Sequence, residues 1–263
     1  MEDFHVHSTY SDGSGTLEEM AEAARTLGLT RLGFADHGYA PYDPDCCMRL
    51  ERTADYLADV SALKERYAGT LELFCGVEQD FYSDAPTDDF DYVIGSVHYL
   101  LLDELYVPID YRELYLRSAA DRCFGGDCLA LAEEYFRTVA RVYDRTRCDI
   151  IGHFDLICKL NEQSRLFDEE DPRYSAAWKA AADALLKTGK PFEINTGGMA
   201  RGYRAQPYPA SPILRYLADN GAVFVLTSDS HSPDAICYDF PAHRRAAEAL
   251  GAKIVPFEVP KRF

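Results

Sequence analysis

The chain has 263 residues, enough for one large domain, and its 47% apolar and 27% charged residues are ordinary for a folded protein with a sizeable core. Its 44 acidic against 27 basic residues leave a net charge of −17, a field that repels nucleic-acid backbones and excludes a general binder of long DNA or RNA. No apolar run approaches the roughly 18 residues of a membrane span, so no membrane partner is expected.

In chain order, short β-type runs alternate with helical stretches. Residues 3–8 read as a first strand. Thr16 then opens a helix, with Glu19 completing a capping box and Leu17, Met20, Ala21, Ala24 and Leu27 on one face. Gly28 closes it. A second strand is expected over 31–35, a long helix over 48–67, and third and fourth strands over 70–77 and 92–97. An irregular stretch precedes a helix at 127–146 and a fifth strand at 149–152. A helix at 174–188, a sixth strand at 191–194, a helix at 212–220, a seventh strand at 222–227 and a helix at 240–250 complete the series before an apolar tail. Such alternation implies parallel pairing and right-handed crossovers. Seven or eight units in this length favour a closed barrel over an open sheet. With no linker or repeat in view, residues 1–263 are expected to form a single α/β barrel domain.

The acidic start, Met1-Glu2-Asp3-Phe4-His5, is unlike a signal peptide. The eight cysteines include no Cys-x-x-Cys pair. Cys46-Cys47 and Cys123/Cys128 therefore read as reduced thiols, and the expected location is the cytoplasm.

Of the seven histidines, His5, His7, His37, His98, His153 and His231 stand at or just after the carboxyl end of an expected strand. Acids hold equivalent places: Asp36, Glu78 and Asp229. In a parallel barrel all such ends meet at one face, where barrel enzymes keep their active sites. His5 and His7, like Asp229 and His231, are two apart, so in extended backbone both members point the same way. One such histidine alone reads as an ordinary hydrogen-bonded residue; the repeated placement reads as a metal cluster. Imidazole and carboxylate together suit Zn, Mn or Fe, and this many ligands suit two or three divalent transition-metal ions. His243 falls in the last helix and is expected to be solvated.

These residues form a series. His5-Val6-His7-Ser8-Thr9-Tyr10-Ser11-Asp12-Gly13, Ala35-Asp36-His37, Gly76-Val77-Glu78, Gly95-Ser96-Val97-His98, Gly152-His153-Phe154-Asp155 and Ser228-Asp229-Ser230-His231 follow one another along nearly the whole chain. In that order and spacing the chain resembles the polymerase-and-histidinol-phosphatase (PHP) superfamily, and within it is most similar to the stand-alone histidinol-phosphate phosphatases. The resemblance implies a distorted seven-stranded (β/α)7 barrel with a trinuclear metal centre at the C-terminal ends of the strands. It implies a first site of His5, His7, Glu78 and Asp229, with Glu78 bridging to a second completed by His98 and His153. A third would use Asp12, His37 and His231. Asp12 enters through the resemblance alone.

The chemistry implied is hydrolysis of a small phosphomonoester, L-histidinol phosphate, to L-histidinol and phosphate in histidine biosynthesis. Bound metal ions supply hydroxide at neutral pH by lowering the pKa of water. Glu78, Asp229 and Arg201 are the expected catalytic residues. After the sixth strand this chain carries Met199-Ala200-Arg201 and then Arg204, where the family pattern has adjacent basic residues. Arg201 is expected to grip the phosphate, with Arg204 or Lys159 as the alternatives. An acidic cup would suit the ammonium and imidazole of the substrate, with Asp80 and Asp155 among the candidates. The Tyr39-Ala40-Pro41-Tyr42 segment reads equally as a pocket wall or as a plain loop. Another small phosphomonoester, such as a nucleotide or phosphotyrosine, stays open as the alternative. A degenerate, non-catalytic relative would lack ligands, and none is missing.

Overall fold

Strands buried on both faces need helical cover outside, and the chain supplies it by alternating the two. The computed structural model describes residues 1–261. The order is β1 (Glu2–Val6), α1 (Leu17–Thr26), β2 (Arg31–Phe34), α2 (Thr53–Arg66), β3 (Glu72–Asp80), β4 (Tyr92–Ser96), β5 (Tyr99–Leu102) and β6 (Leu105–Pro108). Then come α3 (Glu113–Phe124), α4 (Cys128–Val139), α5 (Val142–Thr146), β7 (Ile150–Ile151), α6 (Asn161–Ser164), α7 (Pro172–Leu186), β8 (Phe192–Asn195), α8 (Gly197–Ala200), α9 (Ser211–Asp219), β9 (Val223–Thr227), α10 (Phe240–Ala249) and β10 (Lys253–Ile254).

Eight strands form one parallel sheet in the order β1-β2-β3-β4-β7-β8-β9-β10. The seven expected strands are all present. They close into a ring just beyond β9, where His7 N donates to Ser230 O at 2.8 Å and Ser230 N to His5 O at 3.2 Å. At the other end β1 and β9 part, and the eighth strand, β10, pairs with the start of β9. The tail then fills the gap: Phe257 N donates to Glu2 Oε1 at 2.7 Å, and Arg31 Nη1 to Phe257 O at 2.8 Å. The ring is thus closed at the strand ends that carry the histidines and plugged at its base.

The plug is aromatic. Phe4, Tyr92 and Phe257 meet edge-on, with centroids 5.0–5.5 Å apart. Tyr92 is wholly buried, and its hydroxyl donates towards Phe4 O at 2.8 Å and Phe34 O at 2.9 Å. Glycine is required beside it: a Cβ at Gly33 or Gly76 would lie 2.3 Å or 2.2 Å from Tyr92 atoms.

Helix α1 carries the capping box, with Thr16 Oγ1 accepting from Glu19 N and Glu19 Oε2 from Thr16 N. Two long expected helices are broken. The stretch 48–67 begins with a 3-10 turn at Leu50–Arg52 that runs into α2 at Thr53. The stretch 127–146 splits into α4 and α5 where the last turn tightens into an i→i+3 bond, Arg141 N to Thr138 O. The irregular stretch contains the antiparallel hairpin β5–β6 and helix α3. None of the eight cysteines is bridged. Among the described residues no helix is long and apolar enough to cross a membrane.

Candidate metal centre

The strand ends deliver the expected side chains to one cup. Glu78 stands two residues before the end of β3 and points inward, with its carboxylate divided between two sets of imidazoles. Oε1 lies 2.8 Å from His153 Nε2 and 3.3 Å from His98 Nε2. Oε2 lies 3.2 Å from His5 Nε2, 3.6 Å from His7 Nε2 and 2.9 Å from His37 Nδ1. Asp229 Oδ1 is 3.2 Å from His7 Nε2 and 3.7 Å from His5 Nε2. Its backbone takes a φ of 49°, the left-handed region that Asp tolerates better than most residues. Asp12 joins from the loop after β1: its oxygens lie 3.2 Å from His231 Nε2, 3.7 Å from His37 Nε2 and 3.8 Å from His7 Nδ1.

Three groups have ligand atoms close enough to share an ion: His7 with Asp12, His37 and His231; His5 with His7 and Asp229; and His37 with Glu78 and His98. His7 and His37 each serve two groups. Both ring nitrogens of His7, Nε2 of His5 and Oε2 of Glu78 are buried without a hydrogen-bond partner. Buried polar atoms are nearly always paired, so convergent orphans among imidazoles and carboxylates fit divalent cations placed between them. Burial, and then His231 and His37 beside it, lower His7 to about 3 and keep it neutral, the form a metal ligand needs. For Glu78 burial acts upwards, but the surrounding His5, His98 and His37 hold it well below the usual carboxylate range. Asp229 is likewise held down against burial, by Arg201 and then His5.

The residues that orient this set, Glu193 and Ser96, stand in motifs of the resemblance but were given no role from the sequence. Glu193 on β8 lies inside the barrel, its Oε2 2.8 Å from His5 Nδ1, accepting also from Thr227 Oγ1 at 2.9 Å. Its Oε1 accepts from His153 N and from Asn195 Nδ2. A carboxylate on one ring nitrogen fixes the tautomer and aims the other nitrogen at the cup. The available signal was a polar pair, Glu193 and Asn195, two apart in an otherwise apolar strand. Ser96 Oγ donates to Glu78 Oε1 at 2.5 Å.

Several acids stand elsewhere. Asp36 faces away from the cup and accepts from Ser8 N, Ser8 Oγ, Ser11 N and Ser11 Oγ, so it shapes the loop between His7 and Asp12. Asp80 accepts from His98 N at 2.7 Å and from the Tyr42 hydroxyl at 2.5 Å, bracing the strand end. Asp155 is wholly buried and accepts from Ala210 N. Tyr42 stacks on Tyr106 of the hairpin, centroids 4.1 Å apart. His243 is half-buried rather than solvated, and its Nε2 is shielded.

Above the cup lies a cavity of about 150 Å³, lined by Asp12, His37, His98, His153, Asp229 and His231 together with Asp110, Leu156, Lys159, Arg201 and Tyr203. Arg201 donates through Nη1 to Asp229 O at 3.2 Å and through Nη2 to Asp229 Oδ2 at 3.0 Å, while Nε has no partner. Lys159 Nζ reaches Asp110 Oδ2 at 2.8 Å. Arg204 does not line this cavity. Its side chain is fully buried behind it, with Nη1 donating to Cys158 O at 2.9 Å and Nε 3.3 Å from Glu162. It ties together the segments that carry Lys159 and Arg201.

A parallel α/β barrel with imidazoles and carboxylates gathered at its strand ends is a metallohydrolase-type scaffold. Residues 3–197 match the PHP domain family, and the chain belongs to it. The protein named "Probable histidinol-phosphatase" of Deinococcus radiodurans is 32% identical over 97% of this chain and 95% of its own length. The histidinol-phosphatase of Bacillus subtilis is 25% identical, covering 91% of this chain and 97% of the relative. Among solved structures, a histidinol phosphate phosphatase of Lactococcus lactis, complexed with Zn, L-histidinol and phosphate, superposes with a TM-score of 0.68. It is 19% identical and covers 97% of this chain and 95% of that one. That likeness concerns the fold.

Proposed function

We propose that the protein is a metal-dependent phosphomonoesterase that hydrolyses L-histidinol phosphate to L-histidinol and phosphate, with residues 1–263 as one catalytic unit. The carrying observation is that orphaned imidazole and carboxylate atoms converge in one cup, in a chain aligned along nearly its full length with a relative named for this activity. The ligands are assigned as His5, His7, Glu78 and Asp229; Glu78, His98 and His153; and Asp12, His37 and His231. Together they suit two or three ions of Zn, Mn or Fe. Such ions supply hydroxide at neutral pH and neutralise charge on the phosphoryl oxygens.

The chain's own groups do the rest. Glu193 holds the His5 ring in one tautomer, and Ser96 holds Glu78. Asp229 stays ionised beside Arg201, the form a ligand carboxylate needs. The Arg201 guanidinium is engaged by Asp229 and His231 and lines the cavity, where it adds a fixed cation for a phosphate oxygen. Lys159 adds a second cation to the lining. The small cavity and the charge of −17 suit a small substrate. Unbridged cysteines suit a reducing compartment such as the cytoplasm.

The test is a turnover panel of L-histidinol phosphate, nucleotides, phosphotyrosine and p-nitrophenyl phosphate. The expected result is a kcat/KM for histidinol phosphate well above all others. Similar low rates across the panel would overturn the assignment.

A further inference from the structure

Of the acids lining the cavity, Asp12 and Asp229 belong to the groups that can share an ion, and Asp110 belongs to none of them. It arrives by way of the β5–β6 hairpin, which leaves the barrel directly after His98 and returns to it. Ile109 N donates to His98 O at 2.9 Å, so the next residue, Asp110, is set down beside the cup. Its Oδ2 meets Lys159 Nζ, and its side chain keeps 23% exposure towards the cavity. Lys159 also lies 4.9 Å from the centre of the Tyr203 ring. The cavity lining thus carries a paired carboxylate and ammonium, Asp110 and Lys159, besides the Arg201 guanidinium that Asp229 holds.

A carboxylate in a small phosphatase cavity repels a phosphomonoester dianion, a repulsion that Lys159 beside it partly offsets. It becomes an advantage when the substrate brings a cation of its own, because one group then attracts the right ester and rejects the wrong ones. The two acids considered from sequence, Asp80 and Asp155, are outside this lining and engaged elsewhere. We infer that Asp110 is the specificity-determining residue of the site, its carboxylate pairing with the ammonium of an amino-alcohol phosphate while Lys159 faces the phosphate. The inference rests on the proposed function and names the side chain that reads the cationic head. In L-histidinol phosphate that ammonium is on the carbon next to the ester carbon, so both ends can be held in one short cavity.

The experiment compares L-histidinol phosphate with its deamino analogue, imidazolylpropyl phosphate, in the wild type and in Asp110→Asn, with metal content measured in each. A charge-assisted hydrogen bond of this kind is expected to contribute about 10- to 100-fold. The variant should lose the preference for the amine-bearing ester by that factor, mainly through KM, with its metal retained. Asp110→Glu, which keeps the charge, should recover part of it. If Asp110→Asn changes both esters by the same factor, the assignment of Asp110 is overturned. A wild type that ignores histidinol phosphate in favour of another phosphomonoester contradicts the proposed function itself, and this inference falls with it.

Discussion

Glu78 divides its carboxylate between two sets of imidazoles, with Oε1 towards His98 and His153 and Oε2 towards His5, His7 and His37. A group so placed contributes charge in two directions, and no neighbour duplicates it. Glu78→Gln keeps the shape but substitutes an amide oxygen, a much weaker ligand. Turnover should fall by about 100-fold or more, in line with losses on removing key charge-stabilising groups. Metal bound per chain should fall with it. Near-native turnover with full metal content would take Glu78 out of the bridging role. At the same scale, Glu193 shows why a ligand list is incomplete without the residues behind it: His5 Nε2 faces the cup because Nδ1 is already held.

The strand ends hold their geometry only if the ring below them is rigid, and Tyr92 is the tie at its base. One hydroxyl lies within hydrogen-bonding distance of the carbonyls of Phe4 on β1 and Phe34 on β2, while the ring rests on Gly33 and Gly76. Tyr92→Phe leaves those buried carbonyls short of a donor and should cost about 1–3 kcal/mol. Thermal unfolding would show it as a Tm lowered by several degrees, with metal content unchanged because the substitution lies at the opposite end of β4 from His98. An unaltered Tm would mean that the hydroxyl ties nothing. The seven strands of this ring were legible in the sequence because each is a short apolar run between helical repeats, and the histidines were legible because they mark where those runs stop. The hairpin was not. Its turn residues, Asp103 and Glu104, take φ of 47° and 62° without the glycine or asparagine that usually announces such a turn. Strand β10 spans only Lys253–Ile254, too short for any alternation to show. Asp110 was hidden with the hairpin that delivers it. Arg204 and Lys159 looked equivalent as basic residues near strand ends; only tertiary packing puts one behind the cavity and the other in its wall.

Over the whole molecule, an acidic chain encloses a small site containing Arg201 and Lys159. Long polyanions are kept off by the net charge, while a small ester with its own cation is not. The barrel, closed at the histidine end and plugged at the other, holds side chains from seven strand ends in register around Glu78. The central claim is that this cup works only with divalent ions in it. It is tested by stripping the protein with a chelator, restoring Zn, Mn or Fe stepwise, and measuring histidinol phosphate turnover and ions per chain on the same samples. The account predicts no turnover in stripped protein and recovery as binding approaches about two to three ions per chain. Full turnover in protein holding less than about one ion per chain would contradict it.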